Sequence, residues 1–296
     1  MKRIFIFLLF ITHISNSQTI KGIIKDSLTQ APLAYSSIAL LNNKGTYSDE
    51  NGNFELDIRN YIYDTLKIST VGYKSKIIPL NIFKNKEIIK LNIFLSSKIE
   101  ELEEVVISSK KIKYKNKVTL GEERDGNIDK SSLIGYETCI KIDNPKKING
   151  KIKRVYVELK KNKKANYIAT FNVKFYEFDS KKNLPGKELY NKNIFIEPKN
   201  KKYRLWINLK DFNIKFPENG VCVGIEMVNT IGKVEKYAFF GPLFRYTLSE
   251  NDKSITWSNY LNTGWKDGSN AHKKFKKFKT GTSNPMIGIE VLYPSN

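Results

Sequence analysis

The feature that most constrains the fold is a succession of short runs rich in β-branched and aromatic residues, each bounded by turn signals. In the N-terminal third these runs lie at residues 20–25, 34–41, 53–58, 65–70, 75–80 and 88–95. Asn51-Gly52 supplies the positive-φ backbone of a tight turn, and Phe54, Leu56 and Ile58 then alternate with polar residues. No helical period is sustained here, so these residues predict an all-β sandwich.

The C-terminal half repeats this pattern on a larger scale. Its candidate strands are residues 136–142, 152–159, 168–178, 194–196, 203–209, 221–228, 236–240, 255–257 and 287–292. Turn clusters at 183–186 and 217–220 separate some of them. A jelly-roll-like sandwich of two sheets fits this spacing best. The whole chain is therefore predicted to be all-β.

The first seventeen residues differ from the rest. Lys2 and Arg3 precede an unbroken apolar run, and Ser15 and Ser17 stand at the −3 and −1 positions of a cut before Gln18. This is the pattern of a secretory signal peptide, and neither this run nor any later one is long enough to span a bilayer. The predicted organisation is a signal peptide at 1–17, a sandwich at 18–97, a charged linker at 98–131 and a basic sandwich at 132–296.

Charge is distributed unevenly along the chain. The formal net charge is +21, and residues 132–296 hold 31 basic against 15 acidic residues, a surplus of 31 − 15 = +16. Much of this surplus lies in three lysine clusters, which fall at residues 160–164, 199–204 and 273–279. One interpretation is a solvated surface, and the other is attraction to phosphates or uronates. In an exported protein the second means acidic glycan or lipopolysaccharide, while nucleic acid is not expected as a physiological partner.

Several motifs of the first predicted sandwich occur in a family-specific order. They are Gly22 to Asp26, Pro32-Leu33, Ser36-Ser37-Ile38, Gly45-Thr46-Tyr47-Ser48-Asp49, Asn51-Gly52-Asn53-Phe54 and Val71-Gly72-Tyr73. The segment from about residue 20 to 96 resembles the carboxypeptidase regulatory-like domain, a transthyretin-like sandwich. The family stands at the N-terminus of many Bacteroidetes outer-membrane proteins. The resemblance implies an envelope location at the periplasm, outer-membrane periphery or cell surface.

The rest of the chain carries two weaker resemblances. Residues 102–107 are similar to the segment that follows this domain in TonB-dependent transporters, which implies a role as an accessory of TonB-linked uptake. A plain interdomain strand or linker is the alternative. The larger predicted sandwich resembles the region that accompanies the regulatory-like domain in standalone exported proteins, which supports its architecture and no chemistry.

The side chains that most enzymes need are scarce. His13 lies in the predicted signal peptide, so His272 is the one histidine left, and no zinc or catalytic site that needs two histidines can form. Three carboxylates, Asp179, Glu188 and Glu226, lie in or near strands, but their spacing pairs none of them. Glu226 has the opposite strand parity to Val223 and Ile225, which predicts a solvent-facing position. We therefore expect no enzyme, no cofactor and no metal, with a hydrolase that uses an unrecognised carboxylate pair as an alternative.

Two groups of residues are candidates for binding. The first is the lysine cluster on the probable loop near the C-terminus, with Lys273, Lys274, Lys276 and Lys277. The second is a set of aromatic residues, Trp257, Tyr260 and Trp265, which either stack on sugar rings or close the core at a hairpin. The sequence thus predicts an exported, non-catalytic binding or adaptor protein whose partners are acidic glycans, lipopolysaccharide or envelope proteins.

The two cysteines are the remaining candidate pair. Cys139 and Cys222 each lie in a predicted strand among apolar neighbours, and the chain has no CxxC spacing. An oxidising compartment permits one disulfide between them, and two buried free thiols are equally compatible with the sequence.

Overall fold

The computed structural model describes residues 18–41, 44–59, 61, 64–83, 86–98, 113–124, 127–231, 238–247, 254–268 and 282–295. These residues form an all-β protein with two sandwiches, which confirms the predicted fold class. The only helical elements among them are two short 3₁₀ turns, at Leu80–Phe83 and Lys210–Phe212. Among the described residues, no helix is long and apolar enough to cross a membrane.

The N-terminal sandwich contains seven strands. They are β1 (Thr19–Asp26), β2 (Ser37–Leu40), β3 (Lys44–Tyr47), β4 (Asn53–Asp57), β5 (Thr65–Ser69), β6 (Lys76–Pro79) and β7 (Ile88–Leu95). One sheet has the order β4-β1-β7, with β1 and β7 parallel, and the other has the order β3-β2-β5-β6. Their inner faces enclose one core, in which Phe54 and Leu56 are buried as their alternation predicted.

The larger sandwich begins earlier than the sequence suggested. Its strands are β8 (Tyr114–Gly121), β9 (Ile128–Ser132), β10 (Tyr136–Ile142), β11 (Gly150–Lys160), β12 (Tyr167–Ile168), β13 (Thr170–Asp179), β14 (Leu184–Glu188), β15 (Phe195–Ile196), β16 (Tyr203–Asn208), β17 (Lys215–Phe216), β18 (Val221–Val228), β19 (Phe240–Tyr246), β20 (Thr256–Tyr260), β21 (Trp265–Asp267) and β22 (Ile287–Pro294). One sheet has the path β14-β13-β18-β10-β20-β21, and the other has the path β12-β19-β11-β22-β8. A single apolar core lies between them.

The linker prediction is wrong for its second half. Residues 114–121 pair with β22 along their whole length, and residues 128–132 pair with β19. Val118 and Leu120 pack on the core, whereas Lys115 and Lys117, which precede them in the same strand, face solvent. An edge strand with one exposed face needs few apolar residues and tolerates lysine, which is why its sequence looked like a linker.

The strand β19 begins at Phe240, the last residue of the strand predicted at 236–240, and continues through Gly241-Pro242. Residues 236 and 237 of that prediction lie outside the described residues. The Gly241-Pro242 dipeptide signals a turn in most sequences. Here the pairing of β19 with β9 shifts register between Phe240 and Phe244, which accommodates the proline within the strand.

The two sandwiches contact each other through motif residues of the N-terminal one. The Ser37 hydroxyl donates to the carbonyl oxygen of Leu261 at 2.8 Å. A β-carbon on Gly72, whose φ is +80°, would clash with the carbonyl oxygen of Asn191, so this turn approaches the larger sandwich too closely for any side chain. The loops that carry the family motifs are thus part of the interdomain contact.

Candidate functional site

Two lysine clusters that are distant in sequence meet at one end of the larger sandwich. One lies on the loop after β11 and the other on the loop before β16, and all the lysines in them are exposed. We call this group the lysine surface; it comprises Lys160, Lys161, Lys163, Lys164, Lys199, Lys201 and Lys202. Sequence reasoning found both clusters but gave no reason for them to be adjacent.

Asparagine side chains hold the two loops together. The backbone N–H of Asn162 donates to Oδ1 of Asn200 at 2.8 Å, and Nδ2 of Asn200 donates back to the carbonyl oxygen of Asn162 at 3.0 Å. Nδ2 of Asn162, a buried residue, donates to the carbonyl oxygen of Phe240 at 2.8 Å. A β-carbon on Gly241 would lie 2.7 Å from Oδ1 of Asn200, so a glycine is needed where the second loop packs on β19. The lysine surface therefore has a fixed framework.

The charge on this surface is largely unneutralised. Lys160 pairs with Asp129, with 2.5 Å between Nζ and Oδ2. Within the described residues, the other six lysines of the surface form no salt bridge. Six like charges held on two tethered loops produce a positive potential that attracts a polyanion.

A second group of charged side chains lies on the outer face of the β13-β18-β10 sheet, beneath the N-terminal sandwich. Nζ of Lys174 lies 2.9 Å from Oε2 of Glu226 and 3.4 Å from Oε2 of Glu137. The Tyr47 hydroxyl, from the N-terminal sandwich, donates to Oε1 of Glu226 at 2.9 Å, and the Tyr176 hydroxyl donates to Oε2 of Glu137 at 3.1 Å. We call Glu137, Lys174 and Glu226 the covered triad.

Burial dominates the ionisation of the covered triad. It raises the pKa of Glu137 to about 7, with Lys174 opposing the shift and Glu226 adding to it. Burial alone would lower the pKa of Lys174, but the two nearby carboxylates outweigh it and raise that pKa. Oε1 of Glu137 has no hydrogen-bond partner among the described residues, and it lies over Gly224, where a β-carbon would clash with it. The glycine therefore provides the space that this carboxylate occupies.

The covered triad corrects the sequence prediction for Glu226. That side chain does face away from the apolar core, but it is only 5% exposed because the N-terminal sandwich covers it. Glu137 is its direct cross-strand partner and was missed altogether. The available signal was the strand around Glu226, which contains one acid among seven uncharged residues, a composition typical of a buried and paired charge.

The other two carboxylates considered for hydrolysis each have a different partner. Oδ1 of Asp179 accepts hydrogen bonds from the backbone N–H groups of Lys181 and Lys182 in a turn. Glu188 pairs with Lys98 of the N-terminal sandwich at 2.6 Å. The structure thus brings no two of the three proposed carboxylates together. Within the described residues, no group of three or more histidine, cysteine or acidic side chains is placed to hold a metal ion.

The three aromatic candidates have different environments. Trp257 is 5% exposed, packs against Phe178 and donates its indole N–H to the carbonyl oxygen of Asn183 at 3.0 Å. It closes a small core and cannot stack on a ligand, so its assignment to binding is wrong. Trp265 packs edge-on against Tyr176 with a centroid distance of 5.3 Å.

Tyr260 is the aromatic candidate that borders open space. Its ring packs on Tyr136 at 4.9 Å. It also lines a cleft of about 1150 Å³ between the two sandwiches, to which Tyr35 and Lys21 contribute from the N-terminal side. Lys21 there already pairs with Glu55 at 3.2 Å.

The two cysteines are present as buried free thiols. Cys139 lies opposite Gly224 and Cys222 opposite Lys141, which makes the cysteines diagonal neighbours on the same face of the sheet. Both belong to the small apolar cluster around Trp257. Burial raises the pKa of the Cys139 thiol well above its usual range, which keeps it protonated and unreactive.

Several sequence predictions concern residues outside the described part of the chain. These are the signal peptide at 1–17, the segment at 102–107, His272 and the third lysine cluster with Lys273, Lys274, Lys276 and Lys277. Each stays a prediction.

Comparisons with known proteins characterise the N-terminal sandwich. Residues 20–107 match the family model described as CarboxypepD_reg-like domain, and no curated protein matches the chain. Among solved structures, a DUF3823 family protein from Bacteroides uniformis is 9% identical with a TM-score of 0.22, covering 94% of this chain and 100% of that one.

A protein of the T13 infectious bursal disease virus particle is 11% identical with a TM-score of 0.28, covering 94% of this chain and 63% of that one. Structural similarity at these levels carries no argument about fold or function. The family match is different, because it coincides with the sandwich built from the motifs quoted above. Residues 20–107 of this protein are therefore similar to the carboxypeptidase regulatory-like domain.

Proposed function

We propose that this protein is an exported, non-catalytic binding protein of the bacterial envelope, and that the lysine surface binds acidic glycan or lipopolysaccharide. The single observation that carries the proposal is the convergence of two lysine clusters on one framework. Surface lysines that serve solubility alone need no such tether, whereas the loops bearing Lys163 and Lys201 are joined by reciprocal Asn162–Asn200 hydrogen bonds. Six positive charges without acidic partners among the described residues fit a repeating polyanion better than a single small anion.

The N-terminal domain supports a non-catalytic role. Its family is named for a regulatory-like domain rather than a peptidase domain. In this protein its motif residues Ser37 and Tyr47 form hydrogen bonds to the larger sandwich. The domain thus acts as a cover and support for one face of the binding domain.

The test is salt-dependent retention on immobilised acidic polysaccharide and on lipopolysaccharide. The variant Lys163→Glu/Lys164→Glu/Lys201→Glu/Lys202→Glu should bind about 100-fold more weakly or worse, since each lysine near an anionic surface contributes about 1 kcal/mol. The matched control is Lys146→Glu/Lys147→Glu/Lys181→Glu/Lys182→Glu, which makes the same change in net charge. These lysines lie on turns at the opposite end of the strands.

We expect the control to retain most of the binding and the wild-type affinity to fall steeply with added salt. Equal losses in the two variants would mean that net charge, not this surface, is responsible. A further variant, Asn162→Ala, keeps every charge but loosens the framework, and it should weaken binding while leaving its salt dependence in place.

A further inference from the structure

Exposed apolar side chains lie immediately beside the lysine surface. Leu133, Ile231 and Phe239 are 56%, 53% and 49% exposed. Among the described residues of the larger sandwich, only two other large apolar side chains, Ile148 and Phe195, are comparably exposed. Large apolar side chains grouped at a protein surface usually mark an interaction site.

Backbone contacts place these residues at the end that carries the lysines. Ser132 pairs with Phe240 in an antiparallel ladder. Leu133, which follows Ser132, and Phe239, which precedes Phe240, therefore lie side by side where the two strands end. The carbonyl oxygen of Phe239 accepts hydrogen bonds from the backbone N–H groups of Asn166 at 2.9 Å and Tyr167 at 3.2 Å. The loop that begins with Lys160 therefore ends on Phe239.

Ile231 lies close to the same place. It lines the interdomain cleft together with Ile134, the residue after Leu133. The hydroxyls of Thr230 and Thr170 are 2.8 Å apart, which fixes the end of β18 beside the start of β13, close to the β12–β19 pairing at Ile168–Gly241. We call Leu133, Ile231 and Phe239 the apolar ridge.

We propose that the lysine surface and the apolar ridge together form a docking face for a membrane surface of anionic phospholipid or phosphorylated glycolipid. This inference rests on the proposed function and narrows its partner. A soluble polyuronate would use the lysines but has nothing to bury against leucine, isoleucine and phenylalanine. A lipid surface offers phosphates to the lysines and the upper part of its acyl chains to the ridge.

Neither the lysine surface nor the apolar ridge alone would give stable and selective attachment to an anionic membrane. A few exposed apolar side chains give weak and nonspecific attachment, and a lysine cluster alone gives attachment that salt abolishes. Acting together, they hold a protein reversibly at an anionic interface.

The experiment uses the protein from Gln18 onward, so that the apolar segment at 1–17 cannot contribute. Binding is measured to vesicles of phosphatidylethanolamine with about one third phosphatidylglycerol, to phosphatidylcholine vesicles and to soluble polygalacturonate. The key variant is Leu133→Ser/Ile231→Ser/Phe239→Ser. We expect it to bind the anionic vesicles about 10-fold more weakly or worse and to bind polygalacturonate as the wild type does.

A spectroscopic variant, Phe239→Trp, makes the test independent of affinity. The emission of the introduced indole should shift to shorter wavelengths on anionic vesicles and not with polygalacturonate, because the ring enters an apolar environment only at the lipid. The emission of Trp206, Trp257 and Trp265 is subtracted with the parent protein.

The outcomes separate the two proposals. Undiminished vesicle binding by the ridge variant, or an unshifted emission from the Phe239→Trp variant, would overturn the lipid proposal and leave a soluble polyanion as the partner of the lysine surface. If the wild type bound neither the anionic vesicles nor polygalacturonate, the proposed function itself would be overturned.

Discussion

The larger sandwich uses charge in two opposite ways. The lysine surface holds charges of one sign in water, and six of its lysines have no salt bridge within the described residues. The covered triad holds charges of both signs beneath another domain, with Lys174 between two glutamates. Exposed like charges add little to folding, whereas a buried charge must be paired for the fold to be stable.

This difference indicates which charges serve a partner and which serve the fold. Tyr47 and Tyr176 each donate a hydrogen bond to one glutamate of the covered triad, so the network is largely satisfied within the chain. The lysine surface faces water and is available to a ligand. Substitutions at the two places should therefore have separable effects.

Removing the lysine of the covered triad should have the largest effect. Lys174→Met leaves two buried glutamates without a counter-charge and should lower the free energy of unfolding by about 3–5 kcal/mol at neutral pH. The measurement is urea denaturation. Lys182→Met is the matched control. Lys182 also forms an ion pair, with Asp179, but its side chain is 76% exposed, so removing it leaves no buried charge unpaired. Similar losses in both variants would contradict the structural role of the triad.

A smaller loss is expected when the interdomain hydrogen bond is removed. Tyr47→Phe takes the donor from Oε1 of Glu226 and should cost about 1.5–3 kcal/mol, the usual contribution of a hydrogen bond to a charged group. Hydrogen exchange should show the N-terminal sandwich opening more often relative to the larger one. Tyr73→Phe is the control, since its hydroxyl bonds to Asp26 within the same domain at 2.9 Å. If both variants increased the opening of the N-terminal sandwich equally, the role of Tyr47 at the interface between the sandwiches would be contradicted.

A pH dependence provides a third comparison. The folded-state pKa of Glu137 is raised from 4.5 to about 7, so between these values the folded chain binds more protons than the unfolded chain. Stability should therefore fall as pH rises from about 4.5 to about 7. Glu137→Gln should remove this fall, while Glu50→Gln, at an exposed position, should keep it. An unchanged profile in the first variant would contradict the burial of an ionisable Glu137.

Glu290, on the opposite outer face, provides the contrast. Burial alone would raise its pKa, but hydrogen bonds from Arg154 and Lys117 outweigh this effect and lower it to about 2. Its contribution to stability is present above about pH 4.5 and is lost as pH falls towards 2, which is the opposite sign to that of Glu137. The number and sign of the neighbouring charges, rather than the residue type, therefore decide whether the pKa of a buried glutamate is raised or lowered.

The sequence predicted the class of fold and most strands because strand periodicity and turn chemistry are local properties. Residues 136–142, 221–228 and 88–95 are strands with the bounds expected. Prediction from the local pattern failed where contact with another element determines whether a residue is buried or a segment is a strand. Glu226 is buried by another domain, and the polar strand at 114–121 is held in place by β22.

The site was predictable only in its parts. Both lysine clusters are visible in the sequence, but their union depends on Asn162, Asn200 and Gly241, whose contacts span up to about eighty positions of chain. Trp257 was equally ambiguous, because a tryptophan near a hairpin closes a core or faces a ligand depending on what packs over it.

The most direct test of the account measures folding and binding side by side for two variants. One is Lys174→Met, and the other is the four-lysine reversal at Lys163, Lys164, Lys201 and Lys202. We expect the first variant to lose several kcal/mol of stability and, while folded, to bind anionic vesicles as the wild type does. We expect the second variant to have a free energy of unfolding within about 0.5 kcal/mol of the wild type and to lose vesicle binding. Loss of binding by folded Lys174→Met, or full binding by the four-lysine variant, would contradict the account.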